Sequence, residues 1–86
     1  MYVIAIYDVH HKRVSKVRKV FKKYLHPIQR SVFEGEISDA KLSALKEEVE
    51  KIIDVTYDAI TIYRLDSIKY TTKLQIGLIS EASNVL

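Results

Sequence analysis

Met1-Tyr2-Val3-Ile4-Ala5-Ile6-Tyr7 carries an apolar or aromatic side chain at every position, and Asp8 closes the run. Its β-branched and aromatic content, with no polar residue interleaved, is the composition of a strand buried on both faces. The segment has neither the basic start nor the cleavage site of a secretory signal, and it is far too short to span a bilayer. A soluble, cytoplasmic protein that does not engage a membrane is expected.

Working outward, Val9-His10-His11-Lys12 reads as a loop. From about Arg13 to Leu25, Val14, Val17, Val20, Phe21 and Tyr24 recur at three- and four-residue steps and form one helical stripe, with Lys16, Arg18, Lys19, Lys22 and Lys23 between them. Pro27 cannot continue that helix, so Ile28 to Ile37 reads as two short strands broken near Gln29-Arg30-Ser31, with Gly35 as a bulge. Ser38-Asp39 supplies an N-cap and an acidic first turn ahead of Leu42, Leu45, Val49 and Ile52, and this second helix ends near Ile53. Tyr57 to Leu65, with Ala59-Ile60-Thr61-Ile62-Tyr63 at its centre, is a further strand. Leu74, Ile76 and Leu78 alternate in a weaker terminal strand at about 72–79.

The order is βαββαβ plus a C-terminal strand, an α+β chain with the split βαβ pattern of the ferredoxin-like fold. In that fold two helices cover one face of the sheet and leave the other open, yet Tyr2 to Tyr7 offers apolar side chains to both. A second copy of the sheet would cover the open face, so a homodimer is expected. The 86 residues suit one domain spanning 1–86, and a chain of this size buries only roughly 60–65% of its unfolded surface, which a partner subunit would supplement. A composition of 48% hydrophobic and 29% charged residues, with two glycines and one proline, is that of a folded globular chain. The absence of cysteine excludes disulfides, zinc–thiolate sites and thiol catalysis.

Net charge is +3, and it is unevenly spread. Residues 1–30 hold eight Lys/Arg against the single Asp8, whereas residues 31–86 hold six against ten carboxylates. That asymmetry points to a polyanion-facing side, the alternative being a solvated lysine-rich helix face. Arg13, Lys16, Arg18, Lys19 and Arg30 are candidate phosphate contacts. Phe33 and Tyr63 either stack on bases or belong to the core. Asp8, emerging rigidly from a buried strand, is the candidate metal and catalytic residue: carboxylate oxygen suits Mg²⁺ or Mn²⁺, which takes one or two protein carboxylates and keeps several waters. Its other reading is an ordinary strand-end residue capping the following turn. His10 and His11 are either metal ligands or a general acid, or exposed loop residues. There is no HExxH, Gly-rich phosphate loop or Ser/His/Asp spacing, so zincins, nucleotide-binding loops and hydrolase triads have no support.

The segments Tyr2-Val3-Ile4-Ala5-Ile6-Tyr7-Asp8-Val9 and Gln29-Arg30-Ser31-Val32-Phe33-Glu34-Gly35, joined by a basic helix, resemble the small CRISPR-associated adaptation protein family, often labelled CRISPR-associated endoribonucleases. The resemblance runs from Met1 to about Leu65. It implies a ferredoxin-like homodimer whose terminal strands add to the partner's sheet, a role that Leu74 to Ile79 fits. Members bridge two dimers of the CRISPR spacer integrase, with the basic surface supporting duplex DNA, and several are Mg²⁺- or Mn²⁺-dependent nucleases on single-stranded RNA or duplex DNA. The family's strand-end metal aspartate matches Asp8. Arg13, Arg18, Arg30 and Phe33 fall where members carry nucleic-acid-side or site-supporting residues. The chain departs from the pattern at His10-His11, where relatives often carry acidic or small polar residues, and at Leu25-His26-Pro27, where they often have glycine.

Two functions follow from the resemblance: an adaptation protein that binds nucleic acid and bridges the integrase, with metal-dependent endonuclease activity on RNA or duplex DNA, or a dedicated metal-dependent endoribonuclease of the toxin type. A third reading, a ligand-sensing module without nucleic acid, is opposed by the basic bias of residues 1–30.

Overall fold

A computed structural model of the chain describes residues 1–65 together with Leu74 and Ile76. Its elements are β1 (Tyr2–Asp8), α1 (His11–Tyr24), β2 (His26–Gln29), β3 (Val32–Glu36), α2 (Asp39–Glu50) and β4 (Ala59–Leu65). The four strands form one antiparallel sheet in the order β2-β3-β1-β4, so β1 is central. The expected strand at 72–79 falls outside the described residues apart from Leu74 and Ile76, which are exposed.

Local chemistry explains the boundaries. α1 starts at His11, two residues before the expected Arg13, because His10 serves as N-cap: its Nδ1 accepts the Lys12 N–H at 3.1 Å. His11 and Lys12 are therefore helical, not loop. Lys22 and Lys23 lie in the last turn, where cations complement the helix dipole. β2 begins at His26, and Pro27 is accommodated because β2 is an edge strand. Ser38 caps α2 through its hydroxyl, which accepts from Lys41 N–H at 3.1 Å. Lys23 and Tyr24 of α1 both donate to Glu48 of α2, joining the helices at their outer edge.

Burial alternates along β1: Val3, Ala5 and Tyr7 are buried beneath the helices, while Tyr2, Ile4 and Ile6 are half-buried on the other face. The buried set meets Val17, Val20 and Phe21 of α1 and Leu42, Leu45 and Val49 of α2. At its centre the rings of Tyr7 and Phe21, and of Phe21 and Phe33, meet edge to face at 5.3 Å. The expected bulge at Gly35 is not there. Gly35 pairs regularly with Val3, and a β-carbon on it would lie 3.3 Å from Leu25 Cδ2, so the bare position makes room for Leu25. The ladder shifts instead between Pro27 and Gln29, where Ile28 is the extra residue.

Phe33 is fully buried in this core, which corrects its expected nucleic-acid role: no base can reach the ring without displacing the helices. Its Arg18 neighbour lies over it, the guanidinium carbon 5.5 Å from the ring centroid. Phe33→Ala is expected to lose about 3–5 kcal/mol of stability, a large part of a small domain's total. Urea denaturation at fixed protein concentration would show this as a lower midpoint with little change in slope.

Candidate functional site

Asp8 is the last residue of β1 and pairs with Ala59, the first residue of β4. On its other side, Tyr7 N–H donates to the Ser31 carbonyl at 3.0 Å, tying the strand end to the turn between β2 and β3. Ser31 takes a φ of 63°, a left-handed conformation uncommon outside glycine, and so turns the chain into β3. Asp8 is thus held between two backbone partners, and its own side chain is exposed. Strand alternation sets it on the face with Tyr2, Ile4 and Ile6, opposite the one that α1 and α2 cover. Pairing brings Val32, Glu34 and Glu36 of β3 and Thr61, Tyr63 and Leu65 of β4 onto the same face. The result is a mixed sheet surface: Ile4, Ile6, Val32 and Leu65 are apolar, Glu34 and Glu36 lie towards one end, and Asp8 is the carboxylate at the other.

The donor set tests whether a divalent cation fits. Among the described residues no three His, Asp or Glu side chains gather, and at this end of β1 each chain offers the Asp8 carboxylate. That suits Mg²⁺ or Mn²⁺, which keeps most of its waters, and it is half of what a two-carboxylate site needs.

The other expected residues separate into distinct places. Arg30 is exposed in the β2–β3 turn, at the same end of the sheet as Asp8. Lys16 is exposed on α1 with Lys12, Lys19, Lys22 and Lys23, on the side opposite the buried Val17, Val20 and Phe21. This cationic ridge therefore faces away from the surface that carries Asp8. Arg18 is half-buried against Phe33. Tyr63 is exposed on the open face.

Arg13 is not a phosphate contact in this arrangement. Its Nε and Nη2 donate to the two oxygens of Asp58 at 2.6 and 3.1 Å. Asp58 is buried and also accepts the backbone N–H groups of His10 and Asp54, each at 2.9 Å. Sequence reading missed Asp58, because its partner lies 45 residues away and nothing local marks it. His10, with its Nδ1 used as the cap, stacks on His11 at 4.3 Å and meets the Tyr57 ring at 5.3 Å.

Hydrogen bonding from Arg13 holds the Asp58 carboxyl well below the usual carboxylate range, against the opposing effect of burial. A depressed carboxyl contributes stability above its unfolded value, near 3.9, and loses it as pH falls through the interval beneath. Urea midpoints of wild type and Asp58→Asn are therefore expected to differ most above about pH 5 and to converge as pH falls below about 4.

Residues 1–73 match the family model described as CRISPR associated protein Cas2. A protein named CRISPR-associated endoribonuclease Cas2 from Thermotoga maritima is 49% identical over 78 residues, covering 91% of this chain and 90% of that one. Another of that name from Thermodesulfovibrio yellowstonii is 43% identical over 86 residues, covering 99% and 98%. Among solved structures, a Cas2 crystal structure superposes with a TM-score of 0.83 at 36% identity, covering all of this chain and 97% of its own. Cas2 of Streptococcus pyogenes superposes with a TM-score of 0.76 at 29% identity, covering 87% and 99%. No helix among the described residues is long and apolar enough to cross a membrane.

Proposed function

The chain belongs to the CRISPR-associated Cas2 family, and from that premise we propose that it is a cytoplasmic homodimer that binds nucleic acid and hydrolyses RNA phosphodiester bonds at paired Asp8 carboxylates. One observation carries this reading: Asp8 lies at the end of the sheet face opposite α1 and α2, next to the apolar pair Ile6 and Val32. A second copy that buries this face about a two-fold axis brings in a second Asp8. The two carboxylates would have to approach within roughly 8 Å to share one ion, since metal–oxygen distances are about 2.1 Å and waters can intervene.

When bound, Mg²⁺ or Mn²⁺ supplies charge neutralisation at a phosphoryl oxygen and an acidified water. The residues of the chain do the positioning. Asp8 holds a hard-oxygen ligand at a fixed place, because the pairing with Ala59 and the Tyr7–Ser31 bond leave the strand end little freedom. Arg30, at the same end, orients the strand through its phosphates.

The ridge of lysines on α1, turned away from Asp8, favours the adaptation role over a dedicated toxin-type ribonuclease. Binding and cutting surfaces coincide in a simple nuclease, whereas in this reading duplex DNA takes the lysine ridge, apart from Asp8. In this reading the dimer bridges the spacer integrase, its two-fold symmetry presenting each contact surface twice.

The test is incubation of the purified protein with labelled single-stranded RNA and duplex DNA in Mg²⁺, Mn²⁺ or EDTA. Metal-dependent RNA cleavage that EDTA stops is the expected result. Duplex binding without cleavage of either substrate would leave the scaffold role and remove the nuclease. A solution mass of one chain would overturn the dimer. Duplex binding is expected to weaken steeply with salt, and Lys16→Ala to flatten the log–log slope by about 0.9, one phosphate contact.

A further inference from the structure

Asp58 is a buried carboxylate that the nucleic-acid chemistry does not use, and its four hydrogen bonds have an informative distribution. One goes to His10 N–H, two residues beyond Asp8, one to Asp54 N–H, and two to the fork of Arg13 in the first turn of α1. Its own chain neighbour, Ala59, is the residue paired with Asp8. The side chain thus closes a ring: from Asp8 along the chain to His10, across to Asp58, on to Ala59, and back across the sheet to Asp8.

A planar guanidinium makes this ring stiff. Its two parallel bonds fix both the distance and the plane of the carboxylate, and the carboxylate in turn fixes the His10 amide. Each partner is tied to a different element: Arg13 to α1, Asp58 to the start of β4, His10 to the connection between β1 and α1. Removing Asp58 leaves the His10 and Asp54 amides and a partly buried guanidinium without their acceptor. The segment that follows Asp8 then has no tertiary tether among the hydrogen bonds that hold it here.

Resting on the reading of Asp8 as a metal carboxylate, we infer that the Arg13–Asp58 pair is a clasp that positions Asp8, with Asp58 as the positioning residue and Arg13 as its partner and not a phosphate contact. A strand end that wanders by an ångström costs a metal site or an aligned attack far more than it costs the fold. The surrounding β1–β3 and β1–β4 ladders persist without the clasp, so the effect is local.

The experiment compares the wild-type chain with Asp58→Asn and Arg13→Lys well below their melting temperatures. It reads amide hydrogen exchange by NMR, broadening of the Asp8 amide signal by Mn²⁺, and kcat, KM and the salt slope on single-stranded RNA. In Asp58→Asn, exchange at His10 should accelerate at least about tenfold while the paired Val3 and Ala5 amides keep their protection. Broadening at Asp8 should require more Mn²⁺, and kcat should fall about tenfold or more with KM and salt slope unchanged. Arg13→Lys, which keeps the charge but loses the fork, should fall between.

Three results would overturn the proposal. In the first, His10 exchange and Mn²⁺ broadening stay as in wild type. In the second, all core amides accelerate alike, which is general destabilisation. In the third, Arg13→Lys or Arg13→Ala changes KM and flattens the salt slope by about 0.7, the signature of a single-strand phosphate contact. A wild type that cuts nothing in either metal would overturn the nuclease reading alone, and the exchange and broadening measurements would still decide the clasp. If Asp58→Asn does not fold, Arg13→Lys carries the same comparison.

Discussion

Asp8→Ala is expected to lower metal-dependent RNA cleavage by about a thousandfold or more, equivalent to about 4 kcal/mol of transition-state stabilisation, while leaving the fold and the dimer mass intact. The size follows from the loss of the ligand itself: no cluster of three acidic or histidine side chains that could hold the ion elsewhere occurs among the described residues. The selectivity follows from exposure. The side chain is open to solvent and its backbone pairs are those of any residue, so stability should move by less than about 0.5 kcal/mol. Asp8→Asn, which keeps the shape and removes the charge, should match it. Cleavage that survives both substitutions would come from a contaminating nuclease and would sink the assignment. Subunit mixing adds a sharper arm. In an equal, randomly exchanged mixture of wild type and Asp8→Ala, a site shared across the two-fold axis leaves about a quarter of the activity, whereas independent sites leave about half.

Much of this arrangement was legible in the sequence, and the gaps have physical causes. The all-apolar run from Tyr2 to Tyr7 marks a central strand because few other elements tolerate it, and Asp8 at its end follows directly. Which residues face the helices was hidden, since Ile4 and Ile6 on the open side are as apolar as Val3 and Ala5 on the buried side. The start of α1 was read two residues late because histidine is not among the strongly preferred N-caps, although its Nδ1 serves as well as a hydroxyl here. Gly35 suggested a bulge, whereas its use is to leave space for Leu25, a tertiary fact no local pattern encodes. Arg13 reads as a phosphate contact from its place in the basic segment and Phe33 as a base-stacking or core residue, and the resemblance draws both towards nucleic acid. Geometry gives one to a buried carboxylate far along the chain and the other to the aromatic core.

Charge placed on the open face should break the dimer. Ile6 lies on that face, two residues before Asp8, flanked by Thr61 on β4 and Val32 on β3. In a single chain Ile6 is half-exposed, so Ile6→Glu leaves the helix-covered core untouched and the monomer folded. In a two-fold interface each substitution enters twice, and each buried, unpaired carboxylate costs several kcal/mol. With about 1.4 kcal/mol for each factor of ten, the dissociation constant should rise by about a thousandfold or more. Light scattering would then report one chain at concentrations where wild type reports two, with an unchanged far-UV circular dichroism spectrum. Glu47→Lys, on the exposed side of α2, is the control for charge alone and should leave the dimer mass as it is. Cleavage should vanish along with the dimer although every Asp8 is still present, because the proposed shared site forms only where two strand ends meet. An Ile6→Glu protein that remains dimeric would show that the subunits join through another surface. One that is monomeric yet still cuts RNA would show that a lone Asp8 suffices, separating hydrolysis from the two-fold axis altogether.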